Sequence, residues 1–254
     1  MLPPPSPPLQ SSALFLDFDG TLVEIAERPE AVSLRASTRA ALAQLETKLN
    51  GALAIVTGRD IASIDDLLAP IRLPTAGIHG TTRRDFGGRV RRPPYDDSFL
   101  RLAKDQLAAL AAREKGLLIE LKTASVALHY RNRPELERAC LAAMEDLADG
   151  HEGIEIKRGK MVVEVKPDGA NKGSAVSDFM SEPPFFGRRP IFAGDDITDE
   201  DAFRVVNSMG GVSIKVGEGP TEATYCVRST SDFLNWLEDL SRTTRALEGQ
   251  RERS

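Results

Sequence analysis

The feature that most constrains this chain is a pair of short, fully apolar segments, each followed at once by polar residues. Residues 13–16 read Ala-Leu-Phe-Leu and precede Asp17, and residues 52–56 read Ala-Leu-Ala-Ile-Val and precede Thr57. Between them, residues 34–49 carry apolar side chains at helical spacing, which predicts a helix. Fully apolar strands that alternate with helices indicate a buried parallel sheet. The sequence therefore predicts an α/β fold with a parallel sheet.

The α/β pattern is interrupted in the middle of the chain. Residues 96–168 predict a helix, two strands, a second helix and two further strands, which is an α+β arrangement. After Lys172 the α/β pattern returns. The expected divisions are a disordered Pro-rich tail at 1–11, a discontinuous core at 12–95 and 169–243, an inserted domain at 96–168 and a polar tail at 244–254.

A predicted hairpin at residues 82–92 has Gly87-Gly88 at its turn and is rich in arginine. Arg83 and Arg84 stand on its first strand. We expect most of these arginines to be solvated, although one of them could face a phosphate.

Composition argues against several classes of function. The 254 residues are 41% hydrophobic and carry a formal net charge of -5, so general nucleic-acid binding is not expected. No stretch approaches the roughly 18 apolar residues that a membrane helix needs. The N-terminus lacks the basic start and apolar core of a signal peptide, and the two cysteines form no disulfide framework. We expect a cytoplasmic protein with neither a nucleic-acid nor a membrane partner, and the sequence leaves its oligomeric state open.

Two acids follow the first predicted strand, in the run Asp17-Phe18-Asp19-Gly20-Thr21. An extended backbone points Asp17 and Asp19 to the same side. Two such carboxylates suit a hard cation such as Mg²⁺, and they also suit a nucleophile on phosphorus and a proton-transfer group beside it. Taken alone, however, the run is more typical of a turn or helix cap after a strand.

Two further clusters could bind an anion. Thr57-Gly58-Arg59 follows the second strand, where a hydroxyl and backbone N–H groups can hold a phosphate, although the run also suits a helix cap. Lys172 begins a predicted helix and could neutralise a phosphoryl oxygen, unless it is a surface lysine.

The fourth cluster is acidic and lies in residues 194–201. Asp195, Asp196 and Asp199 would repel one another unless a cation lies between them, although acids also enrich the first turn of a helix. In open α/β sheets, ligands bind beyond the carboxyl ends of the strands. Because all four clusters follow strands or begin helices, together they predict one metal- and phosphate-binding site.

The four clusters resemble the haloacid dehalogenase (HAD) superfamily of phosphotransferases, and the chain resembles more closely its trehalose-6-phosphate phosphatase family. The resemblance spans about residues 13–240. The residues that carry it are Asp17-Phe18-Asp19-Gly20-Thr21-Leu22 with Pro29, Thr57-Gly58-Arg59, Gly77-Ile78-His79-Gly80, Glu120-Leu121-Lys122, His129-Tyr130-Arg131, Lys160 with Glu164 and Pro167, Asn171-Lys172-Gly173, and residues 194–200.

The resemblance implies a Rossmann-like HAD core with an inserted α+β cap domain. It also implies Mg²⁺-dependent hydrolysis of trehalose 6-phosphate, a small-molecule sugar phosphate, to trehalose and phosphate through an aspartyl phosphate. The implied catalytic residues are the nucleophile Asp17, the acid/base Asp19, and the phosphoryl-holding Thr57 and Lys172. The implied metal ligands are Asp17, Asp19 through its carbonyl, and Asp195, with Asp196 and Asp199 in or near that shell. The implied substrate-binding residues are Gly58, Arg59, His79, Lys122, His129, Arg131, Lys160 and Glu164.

Other functions remain open at this stage. A related phosphatase could act on sucrose phosphate or on a glycosylated phosphoglycerate. A phosphomutase would pass the phosphoryl group to a sugar instead of water. A sugar-phosphate sensor without activity would be expected to have lost Asp17 or Asp19, and both are present.

Overall fold

The structure is a computed structural model that describes residues 3–25, 32–91, 97–121, 125–151, 153–159 and 161–243. The chain forms two compact units, the first made of Met1–Arg91 and Asn171–Ser254 and the second of Arg92–Ala170. Within the described ranges, no helix has both the length and the apolar character needed to cross a membrane. The expected polar tail at 244–254 lies outside the described residues.

The regular elements follow one another along the chain. The strands are β1 (Ser12–Leu16), β2 (Leu53–Val56), β3 (Thr75–Gly77), β4 (Thr82–Arg84), β5 (Val90–Arg91), β6 (Leu118–Leu121), β7 (Val126–His129), β8 (Ile154–Gly159), β9 (Val162–Pro167), β10 (Arg189–Gly194), β11 (Val212–Val216) and β12 (Tyr225–Val227). The helices are α1 (Ala36–Lys48), α2 (Ile61–Leu68), α3 (Asp97–Arg113), α4 (Glu137–Ala148), α5 (Lys172–Met180), α6 (Glu200–Ser208) and α7 (Thr230–Arg242).

The first unit is built around an eight-stranded sheet in the order β12-β11-β10-β1-β2-β3-β4-β5. β1 lies near the centre and pairs in parallel with β10 on one side and with β2 on the other. All five residues of β1 are buried, as expected for a strand that is covered on both faces. The predicted α/β fold with a parallel sheet is confirmed, and the carboxyl ends of β1, β2 and β10 share one edge.

An aromatic cluster anchors β1 to α5 and to the turn that follows this helix. The rings of Phe15, Phe179 and Phe185 are fully buried, with centroids 5.1 to 5.9 Å apart. Burial of one such side chain contributes about 1.5–3 kcal/mol to folding. The cluster therefore holds β1 firmly and, with it, the polar residues that follow the strand.

Two parallel strands were not predicted from the sequence, namely β3 and β12. Each has only three residues, which is too short to show a periodic pattern. β3 pairs in parallel with β2, and β12 pairs in parallel with β11. Their strand conformation therefore depends on pairing within the sheet and not on a local pattern.

The expectation that Arg83 and Arg84 are solvated is wrong, because both side chains are buried. Arg84 donates from its two Nη atoms to the two oxygens of Asp65, at 2.6 Å each. Arg83 pairs with Glu182 and lies 4.8 Å above the centre of the Phe179 ring. A carboxylate of α2 and one just after the end of α5 thus neutralise the guanidinium groups, which the hairpin sequence alone does not show.

Residues 3–11, expected to form a disordered tail, are in part packed against the first unit. Leu9 belongs to the hydrophobic core, and Trp236 on α7 donates a hydrogen bond of 3.2 Å to the carbonyl of Pro5. The Pro-rich composition indicated disorder, but buried apolar surface and this hydrogen bond hold the segment in place.

The second unit has a four-stranded antiparallel sheet in the order β6-β7-β9-β8, with helices α3 and α4. Alternate residues such as Val126, Leu128 and Val163 are buried in a separate hydrophobic cluster. Residues one position along each strand point to the opposite face. In one row of that face, Glu120 and Glu164 stand on either side of Ala127.

Candidate active site

The sheet brings three of the predicted clusters to one edge of the first unit. Asp17 follows β1, and its backbone N–H donates to the carbonyl of Ala193 on β10 at 2.9 Å. Asp195 follows β10, so it lies beside Asp17. Thr57 follows β2 and is buried. The parallel register of the three strands therefore gathers these side chains.

Lys172 joins this group from the start of α5. Asn171 caps the helix by accepting a hydrogen bond from the Ser174 N–H at 2.8 Å, and the Ser174 hydroxyl completes a capping box. The capped turn directs the Lys172 ammonium to Asp17 Oδ1 at 2.8 Å and to Asp199 Oδ1 at 2.7 Å. All three side chains are at most 5% exposed, so these are buried charge-assisted contacts.

Burial sets the titration of this cluster. It raises the pKa of Asp17 to about 6 and that of Asp199 to about 7, although the Lys172 ammonium opposes both shifts. Burial, reinforced by the charge of Asp199, also raises the pKa of Asp195. Burial by itself would lower the pKa of Lys172, but the two carboxylates outweigh it and the pKa ends above its usual value. The raised pKa values of the three carboxyl groups therefore indicate that the Lys172 ammonium offsets only part of the cost of burying their negative charges.

A divalent cation fits the acidic side of the cluster. Oxygen atoms of Asp17, Asp195 and Asp199 all lie within 4.8 Å of one another. Asp195 Oδ1 is buried and has no hydrogen-bond partner among the residues that the structure describes. Gly20 permits this close packing, because a Cβ there would overlap the Asp195 carboxylate. Three converging carboxylates opposite a single ammonium suit a hard cation that prefers oxygen ligands.

The other two acids named as metal ligands have different surroundings. The exposed Asp196 accepts a hydrogen bond from the Thr198 N–H at 3.0 Å, as a helix cap does. Asp19 pairs with Arg59, which places Nε 2.7 Å from Oδ2 and Nη2 2.7 Å from Oδ1. Neither side chain belongs to the cluster of three carboxylates described above.

The loop that carries His79 packs against the Thr57-Gly58-Arg59 turn. A Cβ on Gly58 would lie 2.7 Å from the His79 ring, so only glycine leaves room for the ring. The His79 N–H donates to the carbonyl of Thr57 at 2.9 Å. The structure thus brings His79, Gly58 and Arg59 to the same edge as Asp17.

Two residues that the sequence reading did not single out support the site. Lys215 on β11 is buried and donates to the backbone carbonyl of Asp195. Thr230, at the start of α7, donates from its hydroxyl to the carbonyl of Gly20 at 2.8 Å. The sequence signal for Lys215 is a lysine within a largely apolar predicted strand. Such a lysine is expected to have a polar partner, because a buried ammonium without one is costly.

The remaining predicted residues lie in the second unit. His129 Nε2 lies 2.9 Å from Glu120 Oε2, and the Ser125 hydroxyl donates to Glu164 Oε1 at 2.6 Å. Arg131 is exposed. Lys122 and Lys160 lie outside the described residues. His129 and Glu164 thus stand on the polar face of the sheet, because Glu164 pairs with Ala127 and His129 lies two residues further along β7.

Comparisons with known proteins identify the family to which this chain is similar. The trehalose-phosphatase family matches residues 15–231. A probable trehalose-phosphate phosphatase of Sinorhizobium fredii is 49% identical over 82% of this chain and 79% of its own length. The trehalose-6-phosphate phosphatase of Escherichia coli is 40% identical over 94% of this chain and 89% of its own length.

The fold has a counterpart among solved structures. A phosphatase of the HAD superfamily from Bacteroides thetaiotaomicron superposes with a TM-score of 0.58, covering 91% of this chain and 96% of that chain. At 17% sequence identity, this likeness concerns the fold alone. It confirms the predicted HAD-like architecture.

Proposed function

The chain belongs to the trehalose-phosphatase family of phosphoric monoester hydrolases, and on this premise we propose that it hydrolyses trehalose 6-phosphate to trehalose and phosphate. The observation that carries the proposal is the buried contact of Lys172 with Asp17, beside the three converging carboxylates. It supplies a carboxylate nucleophile and positive charge at one point, as phosphoryl transfer requires.

In the proposed first step, an oxygen of Asp17 attacks phosphorus. As the new O–P bond forms, the bond between phosphorus and the sugar oxygen breaks, and Asp19 gives its proton to the departing oxygen. The pKa of Asp17, about 6, leaves its carboxylate mostly ionised at neutral pH and therefore nucleophilic. The products of this step are trehalose and a phosphorylated Asp17.

In the second step, water loses a proton to Asp19 while its oxygen bonds to phosphorus. The bond between phosphorus and Asp17 breaks, so phosphate leaves and both acids return to their starting forms. Throughout, the Lys172 ammonium offsets negative charge on the phosphoryl oxygens and on Asp17. We propose that the Thr57 hydroxyl, at the adjacent strand end, also holds the phosphoryl group.

HAD phosphatases generally use a divalent metal, and we propose Mg²⁺ as the ion for this chain. Asp17, Asp195 and Asp199 would hold it, and when bound it would offset the charge of the phosphoryl oxygens. That the Asp19 carbonyl and Asp196 are further metal ligands stays a prediction from the family resemblance.

We further propose that the polar face of the second unit binds sugar hydroxyls. Carboxylates and the guanidinium of Arg131 make stronger hydrogen bonds to hydroxyls than neutral groups do, and an imidazole adds a further hydrogen-bonding group. Glu164 and His129 are the described candidates, and Lys122 and Lys160 stay predictions from the family resemblance.

A phosphate-release panel tests the substrate. The purified chain with Mg²⁺ should release phosphate from trehalose 6-phosphate with a higher kcat/KM than from sucrose 6-phosphate or glucosyl-3-phosphoglycerate. A higher kcat/KM for either competitor would refute trehalose 6-phosphate as the substrate. Recovery of an isomerised sugar phosphate without free phosphate would instead identify a phosphomutase. The cytoplasmic location stays a prediction, which cell fractionation would test.

A further inference from the structure

The two acids of the first motif have different cationic partners. Asp17 is 5% exposed and held by Lys172, whereas the Asp19 side chain is 38% exposed and held by Arg59. The guanidinium of Arg59 reaches both oxygens of Asp19, with two nitrogen–oxygen distances of 2.7 Å. Such a two-point contact fixes the plane of a carboxylate, which a single contact does not.

Arg59 is itself held in place from several sides. Its guanidinium carbon lies 5.7 Å from the centre of the Phe18 ring, and its backbone N–H donates to the Thr57 hydroxyl at 3.2 Å. Its side chain is only 15% exposed. Arg59 therefore connects the end of β2 to the loop after β1, and these contacts restrict the motion of its side chain.

We propose that Arg59 is a positioning residue that aims the Asp19 carboxyl at the leaving oxygen, and not a ligand of the phosphoryl group. The family resemblance had placed Arg59 among the substrate-binding residues. This inference rests on the proposed function, since it assigns Arg59 a part in the proton transfers of that reaction.

The contact is compatible with proton transfer. A carboxylate offers about four lone-pair positions, and the two contacts with Arg59 occupy two of them. One position on each oxygen stays available for a proton. As the proton passes to the sugar oxygen, Asp19 becomes negatively charged, and its attraction to Arg59 strengthens. The two-point contact keeps the carboxyl in one orientation before and after the transfer, which is what a positioning residue provides.

The decisive measurement compares two substrates in the Arg59→Lys and Arg59→Met variants. Trehalose 6-phosphate needs a proton on its departing oxygen, whereas p-nitrophenolate leaves readily without one. kcat/KM reports the steps up to release of the alcohol. We expect both variants to lose about 100-fold in kcat/KM on trehalose 6-phosphate and less than about 3-fold on p-nitrophenyl phosphate. Lysine should not restore activity, because an ammonium is a point charge without the fork of a guanidinium.

Further variants separate positioning from phosphate binding. Adding Arg59→Met to Asp19→Asn should change kcat/KM on trehalose 6-phosphate by less than about 3-fold, because Arg59 acts through Asp19. The inhibition constant of inorganic phosphate should stay unchanged. Arg84→Lys is the matched control, since it breaks a similar two-point pair with Asp65 away from the site. Arg84→Lys should leave unchanged the ratio of kcat/KM on trehalose 6-phosphate to kcat/KM on p-nitrophenyl phosphate.

Each other outcome has a defined meaning. Suppose that Arg59→Lys loses the same factor in kcat/KM on both substrates and is inhibited more weakly by phosphate. That result would overturn the proposal and make Arg59 a phosphate ligand. Near-normal activity of both variants on trehalose 6-phosphate would also overturn it. If the unmodified enzyme hydrolyses p-nitrophenyl phosphate but not trehalose 6-phosphate, the proposed substrate fails, and the role of Arg59 fails with it. Thermal unfolding of each variant excludes loss of fold as the cause.

Discussion

Asp195→Asn should make the metal-free protein more stable while it lowers the activity of the enzyme. The oxygens of Asp17, Asp195 and Asp199 lie within 4.8 Å of one another, and Asp195 Oδ1 has no hydrogen-bond partner in the described part of the chain. At 4.8 Å and an effective dielectric constant of about 20, one pair of like charges repels by about 3 kcal/mol. The asparagine removes two such repulsions.

Lys172 and nearby water offset much of this repulsion, because Asp195 is not fully buried. A net gain of about 2 kcal/mol in the free energy of unfolding is therefore expected. For a chain of this size, the gain corresponds to a rise of roughly 4–8 °C in Tm. The assay is thermal unfolding in EDTA at pH 8, followed by the same measurement with added Mg²⁺. Mg²⁺ should stabilise the unmodified protein more than the variant, because the variant has lost a ligand.

The gain should also depend on pH. Asp17 and Asp199 have folded-state pKa values of about 6 and about 7, well above their usual value. As the pH falls through 7 and 6, the folded protein takes up protons that the unfolded chain does not yet bind, so the metal-free unmodified protein gains stability. The repulsion on Asp195 disappears at the same time, and the advantage of the variant should shrink by pH 5.

Asp201→Asn is the matched control, since Asp201 belongs to the same acidic run but pairs with Arg204 near the surface. It should change stability by less than about 0.5 kcal/mol. A lower Tm for Asp195→Asn in EDTA at pH 8, or an equal response of both proteins to Mg²⁺, would refute the argument of unbalanced charge at this site.

Three further outcomes test the proposed chemistry. Asp17→Asn should abolish phosphate release, because an amide is not a nucleophile for phosphorus, while circular dichroism shows an intact fold; near-normal turnover would rule out Asp17 as nucleophile. EDTA should stop hydrolysis of trehalose 6-phosphate and added Mg²⁺ should restore it, and full activity after metal removal would contradict the metal role. Glu164→Ala should raise KM for trehalose 6-phosphate about 10-fold or more but hardly change KM for p-nitrophenyl phosphate. Equal changes in KM for both substrates would argue against sugar binding by Glu164.

The sequence by itself determined the fold class and which polar clusters meet at one edge of the sheet. Apolar strands ending at Asp17, Thr57 and Gly194 indicate a parallel sheet, and strand ends in such a sheet meet at one edge. These signals are local, since each depends on a few consecutive residues and on the spacing of apolar side chains. The structure places Asp17, Thr57 and Asp195 at this edge, as that rule requires.

The tertiary structure alone decided which acids face one another. Asp195, Asp196 and Asp199 are nearly equivalent in the sequence, but the turn at Ile197–Asp199 sends Asp199 inward to Lys172 and leaves Asp196 at the surface. The pairing of Asp19 with Arg59 joins residues 40 positions apart. The direction and burial of a side chain depend on partners that only the folded chain brings near, so local patterns cannot reveal them.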